Sequence, residues 1–229
     1  MKTAFLLLLA TLAFAVAPYV SAPFTGFDPA AFPVQIDRPA VQPAGYAFAI
    51  WGLIYLGLIG HAAFGLTARA DHPDWQRPRL PLIAALVLGS GWIALALFQP
   101  LVATGVILLM AAAAVLALLR ARPAQDFWLL SAPLALFAGW LTAASAVSVG
   151  VMLAGYGLLS NSAAALTMIA VALAVAGWVQ GQTPRQPLYS GAVIWALTGI
   201  AVANGGTLPL VTGAALAAAL VLAVLALRR

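Results

Sequence analysis

The 229-residue chain has no cysteine, no glutamate and little charge of either sign. Without cysteine there are no disulfides, thiolate metal sites, iron–sulfur clusters or cysteine nucleophiles. The only acids are Asp28, Asp37, Asp71, Asp74 and Asp126, so a buried carboxylate pair for acid–base catalysis has almost no material. No catalytic residue and no metal site is expected. Charged residues make up 7% of the chain and hydrophobic residues 65%. A soluble domain carries ~25% charged residues, so this chain cannot cover a water-facing surface. A disordered chain needs the opposite composition. The ten basic residues give a formal charge of +5 but are scattered between apolar runs. That is not a nucleic-acid-binding face. What remains is an all-α, polytopic membrane helix bundle whose first partner is the lipid bilayer.

A spanning helix needs ~20 mostly apolar residues. The hydropathy pattern predicts eight, over 4–21, 44–66, 80–98, 101–119, 127–153, 163–180, 188–204 and 208–227. Prolines fill the first connection, at Pro18, Pro23, Pro29, Pro33 and Pro39. Gln99-Pro100, Arg120-Ala121-Arg122-Pro123, Thr183-Pro184-Arg185 and Asn204-Gly205-Gly206 mark later turns. The segment around Gly155-Tyr156-Gly157 and Ser160-Asn161-Ser162 reads as a loop or a bent, partly buried stretch. With a cytoplasmic amino terminus, Lys2, Arg69, Arg77, Arg79, Arg120, Arg122, Arg185, Arg228 and Arg229 all fall inside, and Arg38 alone falls outside. This distribution satisfies the positive-inside rule and places both termini in the cytoplasm, in keeping with a bacterial inner membrane. The first segment also suits a secretory signal ending near Val20-Ser21-Ala22, although Pro23 would follow the cut.

Ionisable groups at membrane depth are functional candidates. His61 reads as an axial ligand or proton carrier, or as an interfacial histidine bonded to a backbone carbonyl. The second is preferred because no carboxylate partners it. His72 reads as solvated, and Asp126 as a cap for the helix that begins at Phe127. Gln99, Asn161 and Asn204 lie at helix ends and also suit caps. Glycines and alanines, such as Gly57, Gly60 and Gly139, suit close helix packing.

Seven tryptophans are the most informative feature. Trp75, Trp128 and Trp178 suit an interfacial belt. Trp51, Trp92, Trp140 and Trp195 lie inside apolar segments. Each needs a partner for its indole N–H and should face the bundle interior or a ligand. Phe48, Trp51 and Tyr55 are spaced three and four apart and share one helix face, continued by Leu58 and Ala62. His61 points ~80° away from Trp51. Such a stripe is either an aromatic core or the wall of a site for a flat, apolar ligand.

The stretch from Pro43 to Tyr55, with Arg38-Pro39 before it, resembles the tryptophan-rich sensory protein family, also called the TspO/MBR or translocator-protein family. Trp92 followed by Leu97-Phe98, the run Asp126, Pro133 and Trp140, and Ile194-Trp195-Ala196-Leu197 resemble later family elements. The resemblance covers 1–153, with looser support to 204. It implies a five-helix TspO/MBR-like bundle over 1–154 and an additional three-helix extension over 155–229. The first loop lacks the tryptophans typical of the five-helix members, and Pro133 and Trp140 lie farther apart than in them. The chain therefore looks like a longer, divergent branch.

The resemblance also implies binding of tetrapyrroles such as haem or protoporphyrin. Pro43, Phe48, Trp51, Tyr55, Trp92 and Trp140 become the ligand-binding residues, with the loop around Pro39–Pro43 as lid. No cofactor is obligatory, and porphyrin or haem enters as ligand. The expected protein is a sensor, regulator, receptor or carrier rather than an enzyme. Alternatives are a secondary transporter of a small organic solute or a structural subunit of a membrane complex. The alanine-rich last helix can face lipid or a second copy, as in a homodimer.

Overall fold

The computed structural model describes residues 1–121 and 126–228. Arg122 and Arg229, two of the charges in the topology count, lie outside the described residues. Eight long helices follow in order: α1 Lys2–Val20, α2 Ile50–Thr67, α3 Arg79–Phe98, α4 Pro100–Arg120, α5 Phe127–Gly155, α6 Asn161–Gln182, α7 Pro187–Asn204 and α8 Pro209–Leu227. Among the described residues there is no strand. All eight are long and apolar enough to cross a membrane. Their bounds follow the sequence pattern closely except at α2, where Gly45–Ala49 forms a separate 3₁₀ turn. Prolines start α4, α7 and α8, where a missing N–H costs nothing. The segment after α5 is a turn, with Gly157 at φ +70, and Ser160 caps α6 through the Ala163 N–H.

Helix α5 is the axis. It has 29 residues and 72% of its spanning window is buried, against 28% for α2 and α8. A helix apolar on every side belongs in the middle of a bundle. It separates α1–α4 from α6–α8 and packs against α2, α4, α6 and α7. Its small residues allow this. A Cβ on Gly139 would collide with the Tyr189 carbonyl oxygen of α7, and a Cβ on Gly57 of α2 would press on Pro133 at 3.3 Å. At about 43 Å long, α5 exceeds the ~30 Å hydrocarbon layer. Its far end reaches the outer connection, where Gly155 accepts from the Val34 N–H at 2.9 Å.

Pro133 also accounts for His61. A proline has no N–H, so within α5 the carbonyl of Leu129, four residues earlier, loses its helical donor. His61 Nδ1 supplies the replacement at 2.8 Å. The histidine is fully buried and its ring stacks on Trp75 at 4.9 Å. Arg79 performs a similar task for α2: fully buried, it donates to the carbonyls of Gly65, Arg69 and Ala70 at the carboxyl end of that helix.

His61→Leu removes the side-chain donor to the Leu129 carbonyl. We expect a loss of about 1–3 kcal/mol, read from denaturant unfolding in detergent. His61→Gln, which can still donate, should lose less. Equal stability of the leucine variant and wild type would contradict this role.

Candidate functional site

A void of about 370 Å³ lies between α1, α2, α3, α4 and α5. Phe48, Trp51, Tyr55, Trp92 and Trp140 all line it. A smaller chamber of about 60 Å³ adjoins it beneath the connection between α1 and α2, and Pro43 lines that one with Phe48, Trp92 and Trp140. The structure thus brings the six sequence-selected residues to two adjoining chambers. The volume of the larger falls in the ~300–1,000 Å³ range of small-molecule sites.

The walls are built from ring-to-ring contacts. Trp51 and Tyr55, one turn apart on α2, stack at 5.5 Å. Trp140 of α5 stands edge-on to Trp51 at 6.1 Å and to Phe48 at 5.9 Å. Phe24 of the outer connection meets Trp92 of α3 at 5.1 Å. Such pairs fix ring orientation beyond what area burial requires. The lining has no charged side chain and no histidine or cysteine. A flat apolar molecule would be held by ring faces. Among the lining residues, Met110 alone offers a soft atom to a metal-bearing macrocycle.

Several residues here have no counterpart in the sequence reading. Phe14 of α1 contacts Trp51, Tyr55 and Phe137, and it fits because Gly89 has no side chain: a Cβ there would lie 2.5 Å from the Phe14 ring. The signal that could have found it is the buried stripe Ala4, Leu7, Thr11, Phe14, in which Phe14 is the one aromatic residue. Phe24 and Phe27 sit in a proline-rich stretch without periodicity, and nothing in the pattern marks them.

The indole nitrogens sort the tryptophans. Trp92 donates to the Ala103 carbonyl at 2.8 Å, and Trp195 to Ala47 at 2.8 Å. Trp195 is 38% exposed, so it packs at the rim of the bundle rather than in its interior. The buried Trp140 N–H has no protein partner among the described residues. Trp128 and Trp178 are exposed, as belt residues should be, but Trp75 is fully buried. Its N–H donates to Asp126 at 3.1 Å, which explains why it is drawn inside.

The polar candidates lie elsewhere. His61 belongs to the Leu129 contact at the opposite end of α2 from the roof of the chambers and lines neither one. His72 is half-buried, with a shielded Nδ1, rather than fully solvated. Asp126 occupies the cap position of α5 but does not cap it. Its backbone is left-handed, φ 57, so its carboxylate receives Arg69 at 2.8 Å and Trp75 instead. Asn161 and Asn204 bond to the outer connection across the fold. A further crevice of about 230 Å³, between α4, α5 and α6, holds none of the six residues.

The fold and cavity define an integral membrane helix bundle with an aromatic chamber beneath a structured loop. A family model described as TSPO-like protein matches residues 4–228, and the chain belongs to that family. The match runs through the last three helices. No curated protein and no solved structure matches the chain.

The Arg69 guanidinium, with help from the Trp75 N–H, holds the Asp126 carboxyl below the usual carboxylate range. A depressed native pKa contributes stability above the unfolded value, ~3.9, and that stability is lost as pH falls through the native value. The difference in thermal midpoint between wild type and Asp126→Asn should therefore be steady near neutral pH and shrink below about pH 4. A gap that stays unchanged down to pH 3 would contradict this coupling.

Proposed function

We propose that this membrane protein binds tetrapyrroles, or similarly flat hydrophobic ligands, in the aromatic chamber and acts as a sensor, regulator or carrier. The observation that carries this reading is the convergence of Phe48, Trp51, Tyr55, Trp92 and Trp140, from three helices and a tight turn, on one void of about 370 Å³. A porphyrin presents two apolar faces, and aromatic rings stack on such faces. With no histidine or cysteine in the lining, the macrocycle is gripped by its faces, and haem and iron-free protoporphyrin should bind alike. No chemical step is assigned, because the lining offers no acid, base or nucleophile with a partner to activate it. The charge distribution supports placement in a bacterial inner membrane with both termini cytoplasmic. The amino terminus pairs with Asp71 in the connection between α2 and α3, which puts these two inside-assigned segments at one end of the bundle.

Trp51→Ala should weaken protoporphyrin binding at least tenfold, about 1.4 kcal/mol, in a tryptophan-quenching titration of detergent-purified protein. Trp51→Phe should weaken it less. An unchanged dissociation constant in a folded alanine variant would remove this site. Non-saturable quenching of the wild type would favour the transporter or structural-subunit alternatives. A reporter fused to the carboxyl terminus should be active only in its cytoplasmic form. Activity only in the periplasmic form would overturn the orientation.

A further inference from the structure

The connection between α1 and α2 roofs the chambers, and its second half is tied down in an unusual way. Both backbone polar groups of Ala40 are taken by asparagine side chains from remote helix ends. Asn161, at the start of α6, accepts the Ala40 N–H through Oδ1 at 2.8 Å and donates to the Arg38 carbonyl at 3.1 Å. Asn204, at the end of α7 and buried, donates to the Ala40 carbonyl at 2.8 Å and to its own helix at Ile200. Further along, the Gly199 carbonyl of α7 accepts the Ala44 N–H at 3.0 Å. The same glycine leaves room for the roof, since a Cβ on it would lie 2.9 Å from Pro43 and 3.0 Å from Ala47. Trp195 then donates to Ala47. The chain from Arg38 to Ala47 is thereby registered on α6 and α7. That register sets Pro43 over the smaller chamber and delivers Phe48 to the wall shared by both.

The first half of the roof is held differently. Thr25 accepts from Gln42 at 3.0 Å, the Val34 N–H donates to Gly155 of α5 at 2.9 Å, and Phe24 and Phe27 rest edge-on or tilted against Trp92. Ring contacts of this kind leave no polar group unpaired when they separate. The Asn204–Ala40 bond is buried and leaves an expensive orphan when broken, whereas the Asn161 bonds are part-buried or exposed.

We infer that Asn161 and Asn204 are positioning residues for the ligand chamber, and that the ends of α6 and α7 serve to clamp its roof. This inference rests on the binding reading above. Neither residue lines either chamber, so both act through Pro43 and Phe48. The clamp holds the Arg38–Ala47 half shut over the chambers.

Two measurements on the full-length protein in detergent test this. Amide hydrogen exchange is read across residues 38–47, and protoporphyrin IX dissociation is followed by recovery of tryptophan fluorescence. Asn161→Ala and Asn204→Leu should each speed exchange of the Ala40 and Ala44 amides at least tenfold. Each should raise the dissociation rate at least threefold, with exchange in the core of α5 unchanged. Asn161→Asp keeps the acceptor for the Ala40 N–H but loses the donor to the Arg38 carbonyl, so it should fall between wild type and Asn161→Ala in both. Faster exchange with unchanged dissociation would overturn the positioning role and leave the tethers as packing. Unchanged exchange in both substituted proteins would overturn the clamp itself. If the wild type binds no protoporphyrin, the proposed function falls and the positioning role falls with it. The exchange data would still report whether the roof is tethered.

Discussion

Everything in this bundle is arranged around a helix that has no free side. Because α5 is covered on all its faces, each neighbour must solve a close-packing problem against it, and small residues at the contact points are the solution. Gly139 lets the Tyr189 backbone of α7 come against α5, and Gly57 lets α2 lie against Pro133. Proline at that contact has a cost, an orphaned carbonyl in a region without water. His61 meets it from the neighbouring helix. A buried histidine in a membrane protein invites a functional reading; here Nδ1 is accounted for by its backbone partner, while Nε2 is buried without a partner among the described residues.

The division made by α5 also separates two kinds of construction. On one side, α1–α4 supply aromatic and aliphatic walls, with Phe14, Trp51, Tyr55 and Trp92 meeting Trp140 across the void. On the other, α6 and α7 supply mainly hydrogen-bonding ends that reach the outer connection. The chamber is a product of both halves. The family match over residues 4–228 accords with this, since it includes the helices that hold the roof.

Much of the fold was legible because membrane helices announce themselves by length, apolarity and charge bias. The aromatic stripe on α2 was legible for a similar reason: a spacing of three and four puts Phe48, Trp51 and Tyr55 on one face whatever the surroundings. What the pattern could not give was the other side of each contact. Trp75 looked interfacial from its position, but its N–H finds Asp126, and Asp126 looked like a cap until its backbone proved left-handed. Asn161 and Asn204 sat at helix ends, as caps do, with partners far away in sequence. Phe24 and Phe27 lie in a segment whose shape comes from prolines and tertiary contacts, and such segments carry no period to read.

The bond between Asn204 and Ala40 joins residues 164 positions apart. A ribosome adding ~5–20 residues per second needs on the order of ten to thirty seconds to travel that distance. Of that interval, only the stretch from Gly155 to Asn204, roughly two to ten seconds at the same rate, has the aromatic walls of α1–α5 made while the roof still lacks its Asn204 tether. The chamber is thus at its most accessible while the protein is being made. Completion of α7 then brings the Asn204 tether that holds the cover down.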